Sequence, residues 1–224
     1  MNLVLEAFAW LGDPAHWVGP NGIPTRVAQH LGLTIGVTAI AAATALPIGM
    51  WMGHRQRGQS TIAVIANGAR ALPTLGLVTL FALALGIGLA APVIALVILA
   101  IPSILAAAYS GISSVPRASV DAAISLGHTP GQTLRRVEVP IALPVIGGGI
   151  QSALLQVVAT ATVAAYVADV GLGRYIFTGL RSLDYPQMLA GSILVIGLAL
   201  LITMAAAFTS ALHRRIAHPE RTPA

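Results

Sequence analysis

Side chains whose types and spacing could do chemistry are concentrated in one segment of this chain, residues 121–146. The segment is a polar island between two long apolar runs, and it opens with a carboxylate. The six histidines of the chain show no pair at metal-ligand spacing, and the apolar runs contain no Ser/His/Asp or Cys constellation. The island is thus the most distinctive polar segment of a chain that offers no candidate catalytic or metal site. Its marked positions are Asp121, Ala122, Ala123, Gly127, Pro140 and Pro144.

The order of residues around the island predicts two short helices that meet at an angle. Pro116 suits the first turn of a helix. Val120, Ala123 and Ile124 then share one face of that helix through their i, i+3 and i+4 spacing. Gly127 can adopt the left-handed conformation that ends a helix, so we expect the corner at this residue.

A second helix is predicted to begin directly after that corner. Thr129 is a good N-cap, and Pro130 is a good first helical residue. Gln132 stands three positions after Thr129, which completes a capping box. Both helix ends at the corner are therefore specified by residues within a few positions of it.

The elements that must position this corner are membrane-spanning helices. Hydrophobic residues make up 56% of the 224-residue chain and charged residues 8%, and the mean hydropathy is +0.85. A spanning helix needs about 20 mainly apolar residues. The charge-free runs 27–54, 71–116, 139–168 and 185–213 predict an all-α polytopic membrane protein with a single membrane domain. Its five predicted spans are 31–52, 62–85, 91–112, 141–167 and 188–212.

The arginines orient these spans. Eight of them fall on one side of the predicted topology and three on the other, and the arginine-rich side of a membrane protein faces the cytoplasm. The N-terminus is therefore predicted outside, and the C-terminus and the polar island inside. The predicted divisions are an outer interfacial segment at 1–26, a transmembrane domain at 27–213 with its cytoplasmic loop at 116–138, and a cytoplasmic tail at 214–224.

The N-terminal segment does not resemble a signal peptide, because no basic residue precedes its apolar stretch at 3–11. That stretch is too short to span a bilayer. Trp10 and Trp17 are typical of residues at a membrane–water interface. We expect the segment to lie along the outer membrane surface.

Two residue types are missing, and each absence excludes a class of site. All twelve basic residues are arginine, so the chain cannot contain the Gly-Lys-Ser/Thr of a P-loop. If transport is driven by ATP, both ATP and Mg²⁺ belong to another polypeptide. The absence of cysteine excludes disulfides and thiolate metal sites. The basic pI near 10.7 follows from arginine-rich loops, so it does not indicate nucleic-acid binding.

Arg70 lies inside the second predicted span and has two interpretations. In one, the helix starts late and the side chain reaches the cytoplasmic headgroups. In the other, Arg70 and Asn67 face a water-filled translocation path, because a charge within the membrane usually faces a polar cavity. Pro73 interrupts the backbone bonding of the same span.

The polar island closely resembles the "EAA" coupling loop of inner-membrane permease subunits of ABC importers. Asp121 replaces the usual glutamate, while Ala122, Ala123, Gly127 and Pro140 stand at the expected positions. The resemblance implies a type I ABC importer core of the MetI-like kind in a bacterial cell membrane. It also implies that the first helix docks on a separate cytoplasmic ATPase. A second permease copy or a similar chain, and an extracytoplasmic solute-binding protein, would complete the assembly.

Further segments resemble the osmoprotectant permeases, which import glycine betaine, choline, carnitine or related compounds. These segments are Ala-Leu-Pro-Thr-Leu-Gly-Leu at 71–77, Gly-Ile-Gly at 86–88, Tyr-Ser-Gly-Ile at 109–112, and the run starting Gly-Leu-Gly-Arg-Tyr at 171–180. The resemblance extends over residues 30–212. It implies a transport subunit rather than an enzyme, with solute choice made mainly by the binding protein.

Two further groups of residues are candidates for the transport path. The outer run could form a gate or a binding-protein contact, or a turn and interfacial helix, and the two interpretations are compatible; its candidates are Gly171, Gly173, Arg174 and Tyr175. Polar residues of the fourth span could line the path or make bonds between helices; these are Gln156, Thr160 and Tyr166.

Other functions explain less of the sequence. A secondary transporter or channel would use no ATPase and leaves the helix–glycine–helix island without a purpose. It would also favour acidic residues in the spans for ion coupling, and the charge-free runs contain none. An intramembrane enzyme lacks a catalytic constellation. An ABC permease for another small solute, such as an amino acid, is the alternative nearest to the osmoprotectant assignment.

Overall fold

The structure is a computed structural model that describes residues 2–217, with side chains described through residue 208. Helix α1 covers Leu3–Gly12, and a 3₁₀ turn at Pro14–Trp17 leads to α2 at Ile23–His54. Next come α3 at Gln59–Arg70, α4 at Thr74–Leu85 and α5 at Ala90–Ser113. The side chains of the predicted tail 214–224 lie outside the described residues.

The second half of the chain begins with α6 at Arg117–Ser125 and α7 at Pro130–Thr133. A π-helical turn at Leu134–Glu138 joins α7 to α8 at Val139–Thr160, and a 3₁₀ turn at Ala161–Tyr166 follows. The chain then forms the short α9 at Gly173–Ser182 and the long α10 at Tyr185–Ala217. Four helices within the described residues are long and apolar enough to span a membrane, and the number rises to five if the bent pair α3–α4 counts as one span.

The second predicted span is not one helix. The axes of α3 and α4 differ by 84°. Pro73 has no N–H to donate, and its ring disfavours the helical conformation at the preceding Leu72, so the helix stops after Arg70. Arg70 is therefore the last residue of a helix that ends at a sharp bend, rather than a residue in the middle of a span.

Two other helices are longer than the sequence predicts. Helix α2 begins at Ile23, because Gly22 caps it and Pro24 occupies its first turn. The predicted boundary between residues 26 and 27 therefore lies inside α2, and the charge of Arg26 does not end the helix. The fourth span also begins early, since one continuous helical segment covers Pro130–Tyr166.

The core is built from α2, α5 and α8. Its buried centre includes Val37 and Ala41 of α2, Leu96 and Ile104 of α5, and Val157 of α8. Close approach of α2 and α5 depends on glycine, since a Cβ at Gly49 would lie 2.7 Å from the Leu105 carbonyl oxygen. Small residues at helix contacts are typical of membrane proteins, where packing drives association.

Helix α1 packs against α10 and α9 instead of joining this core. Trp10 contacts a small cluster formed by Ile23, Leu172, Tyr175 and Leu198. Ala7 is buried and Leu11 packs on the same cluster, whereas the larger apolar side chains of Leu3, Val4, Leu5 and Phe8 are exposed. As expected, this apolar helix of 10 residues is too short to span.

Candidate functional site

The corner predicted at Gly127 is present, and local hydrogen bonds form it. Gly127 has φ = +84°. Its N–H donates to the Ile124 carbonyl, and the His128 N–H donates to the Ala123 carbonyl at 3.1 Å. This pair of bonds is the Schellman motif, which satisfies carbonyls that a helix end leaves free. The predicted C-terminus of α6 is confirmed.

The helix start after the corner is also confirmed. The Gln132 N–H donates to the Thr129 hydroxyl, and the Thr129 N–H donates to the Gln132 side-chain oxygen at 2.8 Å. Pro130 occupies the first turn. The second helix is not a separate short one, however, because it continues through the π-helical turn into α8. The corner therefore lies at the N-terminal end of a helical segment of 37 residues.

Pro140 explains the π-helical turn. Its ring cannot donate a hydrogen bond and would clash with the carbonyl four residues earlier in a regular α-helix. The Val139 N–H instead donates to the Leu134 carbonyl, five residues back, which widens the turn just before the proline. Pro140 thus shapes the connection between the corner and the membrane helix.

Helix α6 has a buried face and an exposed face, and they divide the three residues that the spacing places together. Val120 packs against residues of α5 and α8, and Ala123 is also buried. Ile124 is 56% exposed, although it follows Val120 by four positions, and Leu126 is 81% exposed. Pro116 also differs from the prediction, because it is the N-cap and α6 begins at Arg117.

The residues matched to the coupling pattern therefore have different environments. Asp121 and Ala122 are exposed, and the Asp121 carboxylate makes no hydrogen bond or ion pair with the described residues. Ala123 is buried, and Pro140 is exposed. The exposed face of α6 thus combines one carboxylate with the apolar side chains of Ile124 and Leu126.

A buried pair fastens the base of this corner to the first long helix. His54 Nδ1 lies 2.6 Å from Glu138 Oε2, and Glu138 is 4% exposed. His54 is the last residue of α2, and Glu138 is the last of the π-helical turn. The sequence analysis did not identify this pair. Its only signal was that Glu138 directly precedes an apolar run.

A second candidate region is a cavity of about 200 Å³ between α3, α5 and α8. Arg70 and Gln156, two of the predicted path residues, both line it. The side chain of Gln156 also joins two helices, since it accepts a bond from Ser103 and donates one to the Leu99 carbonyl, both at 3.1 Å. The predicted bonds between helices are thus present at Gln156, and its role in a transport path stays a prediction.

The other three predicted path residues lie elsewhere. Asn67 is exposed and does not line this cavity. The Thr160 hydroxyl donates to the Gln156 carbonyl within its own helix at 2.8 Å. Tyr166 is exposed at the end of the 3₁₀ turn, where its ring lies 5.6 Å from that of Phe177. The structure does not bring these three to the cavity.

The third region is the outer loop, residues 167–175. Gly171, Gly173 and Tyr175 are buried, and Arg174 is partly exposed. A Cβ at Gly173 would overlap the carbonyl of Thr162, so this glycine is required by close backbone contact. Gly171 has φ = +71° and lies against His30.

Polar residues at the start of α2 hold this loop. Arg26 is 3% exposed and donates to the Asp169 carboxylate at 2.8 Å and to the Asp169 carbonyl at 3.1 Å. Gln29 accepts from the Gly171 N–H. His30 is fully buried, bonds the Val158 carbonyl at 2.9 Å and accepts from the Leu172 N–H at 3.4 Å.

A cavity of about 350 Å³ lies beside these contacts. Trp10 stacks on His16 with ring centroids 3.8 Å apart, and Tyr175 meets the same indole edge-on at 5.2 Å. Burial raises the pKa of Tyr175 against the opposing effect of the Arg26 charge. The neutral phenol donates to the Asn21 carbonyl at 2.6 Å. This arrangement joins the N-terminal segment to the outer loop.

Sequence analysis overlooked Arg26, His30 and Asp169. A pattern in the sequence could have identified Arg26 and His30. Polar residues recur every four positions and so share one face of α2, namely Arg26, His30, Thr34 and Thr38. The partner loop is far away in the chain, as the 142-residue separation of His30 and Leu172 shows. Among the described residues, no three His, Cys, Asp or Glu side chains form a group that could hold a metal.

The sequence and the fold both resemble known transport proteins. Residues 45–218 match the family described as "Binding-protein-dependent transport system inner membrane component". The choline transport system permease OpuBB of Bacillus subtilis (strain 168) is 30% identical over 177 residues, which is 79% of this chain and 82% of the relative. The glycine betaine/carnitine/choline permease OpuCB of the same organism is 28% identical over 184 residues, covering 82% and 85%.

A solved structure supports the fold. A chain of the MetNI methionine ABC transporter in an inward-facing conformation superposes with a TM-score of 0.72 over 88% of this chain and 96% of its own length, at 22% identity. The predicted MetI-like fold, the resemblance to the permeases and the membrane location are confirmed. The chain belongs to the family of binding-protein-dependent transport system inner membrane components.

Proposed function

We propose that this chain is the permease subunit of an ABC importer that carries a small quaternary-amine osmoprotectant across the bacterial inner membrane. A separate ATPase supplies the energy, and a separate extracytoplasmic protein delivers the solute. The exposed face of α6 carries the proposal. It combines Asp121 with Ile124 and Leu126, and it stands on a corner fixed from both sides by helix caps.

The connection of this face to the membrane supports a coupling role. The segment from Pro130 to Tyr166 has 37 residues, so it extends about 55 Å at 1.5 Å per residue. A movement imposed on α6 by a docked ATPase would therefore reach the outer loop through one helical path. The buried His54–Glu138 pair links the same movement to α2.

The exposed apolar side chains on α6 support docking to another protein. Ile124 and Leu126 are exposed beside charged residues rather than on a spanning helix. Covering two such side chains stabilises a contact by about 1.5–3 kcal/mol each when they are fully buried. Because the chain has no lysine and hence no P-loop, ATP hydrolysis belongs to the protein that covers them.

The orientation that this function requires remains the one proposed from the arginines. The side that contains Arg55, Arg117 and Arg135 faces the cytoplasm, and the side that contains α9 faces outward. The chain has no cysteine, so single cysteines can be introduced and labelled without background. A cysteine at Ser125 should react only from the cytoplasm and one at Ser182 only from outside. Labelling of Ser125→Cys from outside would contradict the coupling role.

The solute class is inferred from the relatives, whose names include choline, glycine betaine and carnitine. The chain has only 3 Trp, 4 Tyr and 4 Phe, and Trp10 already has His16 and Tyr175 as ring neighbours. A quaternary ammonium group is usually held by several aromatic faces. Selection of the solute is therefore assigned mainly to the binding protein. A second permease copy or a similar chain would close the path.

Reconstitution tests the proposal. In liposomes, the chain combined with its ATPase and binding protein should take up labelled glycine betaine only when ATP is enclosed with the ATPase. The chain alone should take up none, with ATP or with a proton or sodium gradient. Uptake by the chain alone under an ion gradient would favour a secondary transporter.

A matched pair of variants tests the docking face. Leu126→Gln should reduce co-purification of the ATPase and uptake at unchanged membrane abundance, since Leu126 is exposed and makes little contribution to the fold. Leu180→Gln replaces a leucine that is 51% exposed on α9, and it should leave ATPase co-purification unchanged. Equal co-purification with both variants would contradict docking at α6.

A further inference from the structure

Arg70 is a charge without a protein partner. Its guanidinium makes no ion pair or hydrogen bond with any described residue, and the residue is exposed in this single chain. Acidic residues are absent from α2, α3, α4, α5, from α8, and from 185–213 in α10. An uncompensated charge within a membrane domain is costly, and such residues usually face a polar cavity or pathway. The counter-charge for Arg70 is therefore expected from outside the chain.

The surroundings of Arg70 form a small polar cavity. Arg70 lines it together with Ser103, Ser152 and Gln156, and the volume is about 200 Å³. A water molecule occupies about 30 Å³ in the liquid, so the space corresponds to roughly seven waters. This is enough for a compact solute with about eight non-hydrogen atoms, which is the size of glycine betaine.

Room for a ligand is provided by small side chains. Ala66, Ala69 and Ala106 line the cavity on α3 and α5. Gly149 also lines it, and a Cβ there would overlap Ala107, so glycine brings α5 and α8 into contact at the cavity wall. The 84° bend after Arg70 turns the chain away from the cavity, so the C-terminal end of α3 lies beside it.

The other polar groups of the cavity already have partners within the protein. The Ser103 hydroxyl donates to Gln156, and the Gln156 amide donates to the Leu99 carbonyl. The Ser152 hydroxyl donates to the Gly148 carbonyl. The free donors of the cavity thus belong mainly to the Arg70 guanidinium. Its five N–H groups form a planar fork that matches a carboxylate in a two-bond geometry.

We propose that Arg70 binds the carboxylate of a zwitterionic solute during its passage, so that the permease favours glycine betaine and carnitine over choline. The inference rests on the proposed function. Glycine betaine and carnitine combine a quaternary ammonium with a carboxylate, whereas choline carries a hydroxyl in place of the carboxylate. A carboxylate gains an ion pair with Arg70, while choline offers the guanidinium only a neutral hydroxyl in that place.

The test compares three labelled solutes in the reconstituted complex with its ATPase and binding protein. For glycine betaine, carnitine and choline, uptake by Arg70→Gln is divided by uptake by the unmodified chain. Because the same binding protein delivers each solute to both forms, this ratio cancels its preference. Loss of a charge-assisted pair should lower the ratio about tenfold for the two carboxylates and change it less than about twofold for choline.

Two further variants distinguish carboxylate binding from other roles. Arg70→Lys keeps the positive charge but lacks the planar donor geometry of the guanidinium. Its uptake ratio for glycine betaine and carnitine should lie between that of Arg70→Gln and one. Arg181→Gln removes an exposed arginine on α9, away from the cavity, and should leave all three ratios near one. An equal fall for all three solutes in Arg70→Gln would overturn the proposal, since it would indicate a structural role.

The lipid composition of the liposomes tests whether Arg70 binds a phospholipid headgroup instead of the solute carboxylate. If Arg70 binds phospholipid headgroups, the defect of Arg70→Gln should be the same for every solute and should disappear in liposomes without anionic lipid. If it binds the solute, the difference between carboxylates and choline should persist there. A complex of the unmodified chain that carries none of the three solutes would refute the proposed function itself. Uptake of the carboxylates with an unchanged ratio would refute only the role of Arg70.

Discussion

The corner at Gly127 and the outer loop at 167–175 are both turns between helices, but they are held in opposite ways. The bonds that form the corner join residues at most five positions apart. The bonds that hold the outer loop join residues up to 143 positions apart, as in Arg26 and Asp169. One turn would form wherever its sequence is placed, whereas the other depends on the assembled helices.

This difference suits the roles proposed for the two regions. In the proposed coupling role, the corner would transmit the movement of a docked ATPase with little deformation, because its helix caps join only residues within the corner itself. The outer loop can follow the helices, because its partners Arg26, Gln29 and His30 all belong to α2. A relative displacement of α2 and the end of α8 would break these contacts. The loop would therefore respond to a rearrangement that leaves the corner intact.

The largest effect is expected from His30→Ala, which removes the hydrogen bonds that connect α2 to α8 and to the outer loop. The substitution removes a buried partner from the Val158 carbonyl and the Leu172 N–H, at about 1–3 kcal/mol for each group left unsatisfied. The apparent unfolding temperature of the purified chain should fall, and a cysteine introduced at Val170, which is 9% exposed, should become reactive.

The next turn of α2 provides a control for this variant. The Thr34 hydroxyl is buried and has no hydrogen-bond partner among the described residues. Thr34→Val removes that hydroxyl, so it should leave stability unchanged or raise it. If His30→Ala and Thr34→Val had the same small effect, the long-range contacts would not hold the loop.

The next largest effect is expected from alanine substitutions at Gly173 and Gly127, which distinguish the two kinds of turn. Gly173→Ala places a Cβ against the Thr162 carbonyl, and such overpacking costs about 1–3 kcal/mol. Gly127→Ala meets open space, and its cost of about 1–2 kcal/mol comes from the positive φ alone. Unfolding temperatures of both variants measure these costs.

Asparagine substitutions distinguish the steric cost at Gly173 from the conformational cost at Gly127. Asparagine tolerates the left-handed conformation, so Gly127→Asn should recover much of the stability and transport lost in Gly127→Ala. Gly173→Asn is larger than alanine and should be worse than Gly173→Ala. Recovery by asparagine at position 173 would show that its backbone conformation, and not the contact with Thr162, requires glycine there.

The smallest effect is expected from Thr129→Ala, which removes the cap of the second helix. Loss of an N-cap costs about 1 kcal/mol. Thr129→Ser keeps the hydroxyl and should behave like the unmodified chain. Because the bond is local, amide hydrogen exchange should increase at Gln132 and stay unchanged in the outer loop. Faster exchange at residues 167–175 would show that the two turns are coupled in the resting protein.

Local features of this protein could be read from the sequence because they depend on a few neighbouring residues. The glycine corner, the capping box and the apolar spans follow from backbone conformation and hydropathy, and all three are present. Predictions from the sequence were incomplete where the packing of helices, and not the neighbouring residues, decides the structure. Ile124 follows Val120 by four positions and has the spacing of a buried residue, yet it is 56% exposed. Pro73 was recognised as a break, yet the bend of 84° could not be deduced from it.

The sequence by itself determined that the chain is an all-helical membrane protein with a helix–glycine–helix corner and no P-loop. These properties follow from composition, from the absence of lysine and from bonds within one or two turns of helix. Only the tertiary structure decided that Arg26 and His30 hold the outer loop, that Glu138 fastens the corner to α2, and that Arg70 shares a cavity with Gln156. The partners in these contacts are separated by 84 to 143 residues, and their meeting depends on the packing of whole helices.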